Sequence, residues 1–177
     1  MPSLCHPGHT LAGLLLVCLL LVPWQQARAD LLDWRDAPDM GALMAQLDRW
    51  LDRHSDLARA PAPPRVRLID RHAIASLTGA PRSAHGGRPR GLYDPASATI
   101  WLIRPWDPRD PHDVSVLLHE MVHHRQRGRH WYCPGAQELP AYRLQDRWLN
   151  ALGLEVRANW IAVVLEAGCS RRDIHPD

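Results

Sequence analysis

Residues His119-Glu120-Met121-Val122-His123 set two imidazoles four positions apart, with a carboxylate beside the first. On an α-helix this spacing stacks both histidines on one face, where they reach a single metal ion while the glutamate holds a water bound to it. That is the equipment of metal-assisted hydrolysis. A zinc ion lowers the pKa of its water from 15.7 to roughly 7 in the best cases and polarises a scissile carbonyl, and the carboxylate takes the proton. Chance is a poor source of the pattern: with 11 His and 4 Glu in 177 residues, the expected accidental count is roughly 0.015.

The motif needs a helix, and its surroundings supply one. Pro105, Pro108 and Pro111 break the chain before it, Asp113 is placed to cap it, and the helix should run to about Arg127, with Gly128 just beyond. Val114, Val116, Leu117, Leu118, Met121 and Val122 leave little polar surface over the first two turns, so the helix is central. Upstream, Arg90 to Ile103 reads as a hairpin turning at Asp94-Pro95-Ala96-Ser97, with Ala98 to Ile103 as the return strand. Asp39 to Leu57 carries the apolar stripe of an amphipathic helix, with Asp39 as its cap. Pro61-Ala62-Pro63-Pro64 closes that segment, Arg65 to Asp70 follows as a strand, and His72 to Leu77 reads as a short helix. Thr78 to Gly91, rich in Gly, Pro and Arg, is a loop, and its His85 reads as solvated. Two further helices are expected, from about Glu138 to Leu152 closed by Gly153, and from about Val156 to Ala167 before Gly168.

A catalytic zinc site requires a third protein ligand and leaves a fourth position for water. The longer pattern H-E-x-x-H-x-x-G-x-x-H fails, because Gln126 and Arg129 stand where Gly and His would be needed. Glu138 is the better candidate, provided that residues 128–137 return along the motif helix. Glu138, Tyr142 and Gln145 then share one face, and Ala141 is small enough for close approach. Asp146, Cys133 and His130 remain rival ligands. His124 points about 100° away from His123 and is off the metal face. His112 precedes the helix within reach of the site, and His54 reads as a surface or packing residue.

With Glu138-x-x-Ala141 following the H-E-x-x-H helix and a hairpin preceding it, residues 90–150 resemble the gluzincins, metallopeptidases whose third zinc ligand is a glutamate on the next helix. The resemblance implies an α+β zincin-like domain, with a short antiparallel sheet or hairpin packed on a central H-E-x-x-H helix and further helices after it. It implies Zn²⁺ bound by His119, His123 and Glu138, with Glu120 as general base and a peptide or protein as substrate. It also implies that the strand Ala98 to Ile103 lies at the sheet edge along the cleft, open to an extended peptide. The chain departs from the thermolysin-like pattern in having Tyr142 where an Asp follows the ligand glutamate, and no distal catalytic histidine is assigned. Tyr142 or Tyr132 is left to supply a phenolic donor to the transition state.

Length and composition frame this chemistry. Residues 1–29 read as a signal peptide, with an apolar run from Leu11 to Val22 and a small-x-small site at Ala27-Arg28-Ala29. Residues 30–177 then form one domain, exported to the periplasm or the medium, without a membrane span in the mature chain. Removing the leader takes one Arg and no acid, leaving a net charge of about +1, which argues against nucleic acid as a partner. Every basic residue is Arg, a sign of base composition and not of function. Cys133 and Cys169 remain in the mature chain and should pair as a disulfide. The alternative to a hydrolase is an exported protein that uses the same residues as a structural or storage zinc site, closed by a fourth ligand such as His130 or Cys133.

Overall fold

The computed structural model describes residues 33–73 and 89–169. The expected leader, His85 and most of the loop expected at Thr78 to Gly91 lie outside these residues, as does all of the short helix expected at His72 to Leu77 beyond its first residues, 72–73, which are helical. A 3-10 turn at Asp33–Asp36 precedes helix α1, Met40–His54; strands β1, Arg65–Ile69, β2, Gly91–Asp94, and β3, Thr99–Ile103, follow. Helix α2, Pro111–Gln126, carries the motif, and a 3-10 turn at Pro134–Gln137 leads into α3, Glu138–Ala151, and then α4, Trp160–Ala167. The domain is α+β, and among the described residues no helix is long and apolar enough to cross a membrane.

The helix starts follow local capping chemistry. Asp39 caps α1 as expected, its carboxylate accepting the Ala42 N–H at 2.8 Å. The helix stops at His54, short of the expected Leu57, because Ser55 is extended and both its N–H and its hydroxyl turn back to the Leu51 carbonyl. Helix α2 begins earlier than expected, with Asp110 and not Asp113 as its cap. Pro111 has a preset φ and no N–H to satisfy, so it suits the first helical position. Asp113 instead accepts the Asp107 N–H at 2.8 Å and pairs with Arg90, tying the approach segment to the helix. Helix α4 starts at Trp160 and not Val156, with Asn159 as its cap.

The sheet corrects the sequence reading in one respect that matters for function. Its strand order is β1-β3-β2, with β1 parallel to β3 and β2 antiparallel to it, so the sheet is mixed. The hairpin is present, but β3 is the central strand. Arg65 to Ile69, from outside the hairpin, pairs with Thr99 to Ile103 along its whole length. The edge expected at Ala98 to Ile103 is therefore closed by hydrogen bonds on both sides, and β2 is the edge beside α2. The composition of β3 fits that place, since Thr99, Ile100, Leu102 and Ile103 are all buried.

One core holds these layers. Leu43, Leu47, Trp50 and Leu51 of α1 and Ile100 and Leu102 of β3 meet Val114, Leu117, Leu118, Met121 and Val122 of α2. Leu144, Trp148 and Leu149 of α3 complete it, with Trp34 packed 5.4 Å from the Trp148 ring. Helix α2 lies between the sheet and α3, which places its polar residues in the interior.

Candidate metal centre

His119 and Glu120 are buried and His123 is half-buried, on the stretch of α2 that faces α3. The Nε2 atoms of the two histidines converge: they lie 3.0 Å apart, and Glu138 sets Oε2 3.4 Å from that of His119 and Oε1 3.5 Å from that of His123. Among the described residues, these three side chains form a group that could hold a metal ion. The rivals are engaged elsewhere. Cys133 is bonded to Cys169, His130 is exposed beside Tyr132, and Asp146 accepts from Asn150 and from the Val156 N–H. His130 and Cys133 would have closed a four-ligand structural site, and neither reaches this one. His54 turns Nδ1 to the Trp50 carbonyl and stacks on the Trp50 ring, away from the centre.

Glu138 owes its position to what precedes it. Cys133 opens the 3-10 turn and is held to Cys169, with Cα atoms 5.9 Å apart, so the turn is tied to the end of α4. Within the turn, a Cβ on Gly135 would lie 2.6 Å from the Glu166 carbonyl oxygen, a closeness only glycine permits. The last residue of the turn, Gln137, accepts Gln126 Nε2 at 2.9 Å on its carbonyl. The chain thus returns along α2 as the sequence required, and α3 begins with Glu138 facing the two imidazoles.

The hydrogen bonds around the histidines determine which nitrogens carry protons. The Gln137 carbonyl can only accept, so Gln126 presents Nε2 to it and leaves Oε1 facing His123 Nδ1 at 2.8 Å. Ser115 donates its hydroxyl to the His112 carbonyl at 2.7 Å and so accepts from Gln145 Nε2 at 3.0 Å. Gln145 Oε1 is then left facing His119 Nδ1 at 3.1 Å. Both imidazoles donate from Nδ1, so in the neutral rings both Nε2 lone pairs point at each other and at a carboxylate. Such a set of acceptors fits a cation.

Electrostatics follow from this packing. Burial by itself would raise the Glu138 carboxyl, but His119 and His123 in their protonated form outweigh it by hydrogen bonding and charge, and pull the group far below the ordinary carboxylate range. Burial lowers His123 as well, yet Glu138 and Glu120 reverse this and leave it above 6.5. Burial raises Glu120 above 4.5 against the pull of the two histidines, and the backbone N–H of Tyr93 bonds its charged form. Glu120 borders the cleft because β2 passes so near: a Cβ on Gly91 would lie 2.8 Å from Glu120 Oε1 and from Val116 Cγ1. Tyr142 packs edge-on against the His119 ring at 4.5 Å, and burial, then Glu138, push its phenol up to about 12, so it keeps its proton at neutral pH.

These groups open into a cleft of about 1300 Å³ bounded by β2, α2, α3 and residues 156–159. His112 lines it a turn and more before the cluster and is not part of the cluster. His124 lies off the metal face as expected, buried between the Tyr93 hydroxyl and the Ala62 carbonyl. Gln126, Ser115 and Gly91 were not read as site residues from the sequence. The signal for Gln126 was its position three residues after His123, one turn on along the same face.

The model of a family described as Domain of unknown function (DUF6647) matches residues 36–177. No curated protein and no solved structure matches the chain.

Proposed function

The chain belongs to the DUF6647 family, whose description carries no activity, and we propose that it is an exported zinc metallopeptidase of the gluzincin-like zincin kind. The observation that carries this reading is the convergence of His119 Nε2, His123 Nε2 and the Glu138 carboxylate within 3.0–3.5 Å of one another beside a buried Glu120. His119, His123 and Glu138 would hold the ion; bound there, zinc supplies a Lewis acid for a carbonyl and lowers the pKa of water. The set is one carboxylate and two neutral nitrogens, the donor mix of catalytic zinc sites that keep a position open.

The chain's own residues then divide the work. Glu120 takes a proton from the attacking water and delivers it to the leaving amine, and its burial lifts its proton affinity toward that task. Tyr142, protonated at neutral pH, donates to the oxygen on which charge develops. The outer edge of β2, which pairs with no strand among the described residues, and not β3, binds the backbone of an extended peptide beyond the Tyr93 N–H that Glu120 takes, with Gly91 bringing that edge against Glu120. Export is supported by the leader pattern in residues 1–29 and by the Cys133–Cys169 bond, which suits an oxidising compartment.

The test compares mature wild type with Glu120→Gln for zinc content and for hydrolysis of a mixed peptide pool. Both should carry one zinc per chain, and the variant should lose roughly 10²–10⁴-fold in turnover. A wild type that takes up no zinc, or a variant that cleaves as fast as wild type, would refute the proposal.

A further inference from the structure

Two buried glutamines do work that the zinc ligands alone do not account for. Gln126 is entirely buried and Gln145 nearly so, and each spends its amide on one histidine and one anchor. Gln145 joins His119 to Ser115; Gln126 joins His123 to the backbone of Gln137, the residue immediately before Glu138. We infer that Gln126 and Gln145 are positioning residues that lock both imidazoles in the tautomer with a bare Nε2, and that Gln126 also sets the third ligand against the second. The inference rests on the metal reading above and assigns a role to residues outside the ligand set.

The two anchors differ in chemistry, and that difference makes the roles separable. Ser115 has a hydroxyl, which can turn round and donate, and the carbonyl it now serves sits on a helix. Gln137 offers a carbonyl oxygen, which can never donate. A carboxylate at position 145 would still accept from His119 and could be satisfied by Ser115. A carboxylate at position 126 would still accept from His123, but its second oxygen would face the Gln137 carbonyl, loosening the start of α3 where Glu138 stands. A plain packing role would not distinguish the two positions, since Gln and Glu are nearly the same size.

The experiment measures zinc affinity by competition with a chromogenic chelator at pH 8, together with nitrogen-15 NMR of the zinc-loaded imidazoles. Gln126→Leu and Gln145→Leu should each weaken zinc about 10–100-fold, the usual effect of removing a partner that orients a metal-bound histidine. Gln145→Glu should stay within about threefold of wild type, and Gln126→Glu should be about tenfold weaker or more. In wild type both histidines should bind through Nε2 and show a protected Nδ1–H, and Gln145→Leu should lose that protection at His119 alone. Folded leucine variants with wild-type affinity, equal behaviour of the two glutamate variants, or zinc on Nδ1 would each overturn the inference. If the leucine variants fail to fold, the nearly isosteric glutamate pair and the wild-type spectrum still decide it. A wild type that takes up no zinc sinks the metallopeptidase reading instead, and the tautomers are then read on the metal-free protein.

Discussion

Helix α2 buries polar side chains on two flanks, and the flanks settle them in opposite ways. On the flank toward α1, all three guanidinium nitrogens of Arg125 are used: Asp48 and the Leu57 carbonyl accept from them, with Asp52 2.9 Å away. His124 beside it donates from Nε2 to the Ala62 carbonyl and accepts the Tyr93 hydroxyl on Nδ1, each at 2.9 Å. Donors there meet acceptors, and charges meet their opposites. On the flank toward α3, His119, His123 and Glu138 turn lone pairs toward one another, with their donors already committed to Gln145 and Gln126. Burial of polar groups is common to both flanks. What separates a ligand site from a structural network is the surplus of acceptors, and only the α3 flank has it.

This comparison can be broken by exchanging the effects. The largest is expected at Arg125. Arg125→Leu leaves the Asp48 carboxylate and the Leu57 carbonyl without their buried partner and should destabilise the fold by about 3–5 kcal/mol, read by denaturant unfolding. The folded fraction should still bind zinc as wild type does; a folded Arg125→Leu protein with wild-type stability would show that the α1 flank is not the structural one.

Glu138→Ala is the reverse case. It removes a half-buried carboxylate that the two imidazoles hold ionised, so the metal-free protein should lose some stability at neutral pH, less than Arg125→Leu does. Zinc affinity, measured by chelator competition, should fall by about 100-fold or more, beyond the loss from an outer partner. Full zinc retention would move the third ligand to another residue.

The smallest effect is a pH dependence. In the metal-free protein, burial lowers His123 but Glu138 and Glu120 outweigh it, so the proton is held above 6.5. A raised pKa means that proton and zinc begin to compete at higher pH than for an ordinary histidine. Zinc affinity should therefore weaken by up to about tenfold per pH unit on acidification, with the onset above pH 6.5. Titration calorimetry across pH 5.5–8.5 checks this, and an onset well below 6.5 would contradict the electrostatics drawn for the α3 flank.

Local chemistry made much of the molecule legible beforehand. The i, i+4 spacing of His119 and His123 is a property of any α-helix, and the apolar residues around it require burial, so the motif and its depth were both readable. Asp39 capped its helix because the capping bond is local, and the turn at Asp94 to Ser97 formed for the same reason. Glu138 was the better candidate because α3 had to begin near it, although Asp146, Cys133 and His130 stayed open as rivals, and Cys133 and Cys169 were the two cysteines outside the expected leader. The helix starts at Asp110 and Asn159 were missed by a few residues, since several polar residues nearby offered equally good caps.

The sequence by itself determined which side chains could bind a metal and that two of them would share a buried helical face. Only the tertiary structure decided their partners. That β3 is central and β2 an edge strand depends on pairing with Arg65 to Ile69, a contact between segments distant in the chain. Parallel pairing leaves no turn signal to read, because the connection crosses over instead of folding back. The tautomers of His119 and His123 were equally invisible, since they follow from bonds to Gln145 on another helix and to the backbone beside Glu138 through Gln126. Residue types set the ligands a protein can offer, and the directions of their lone pairs are set by neighbours that only folding brings together.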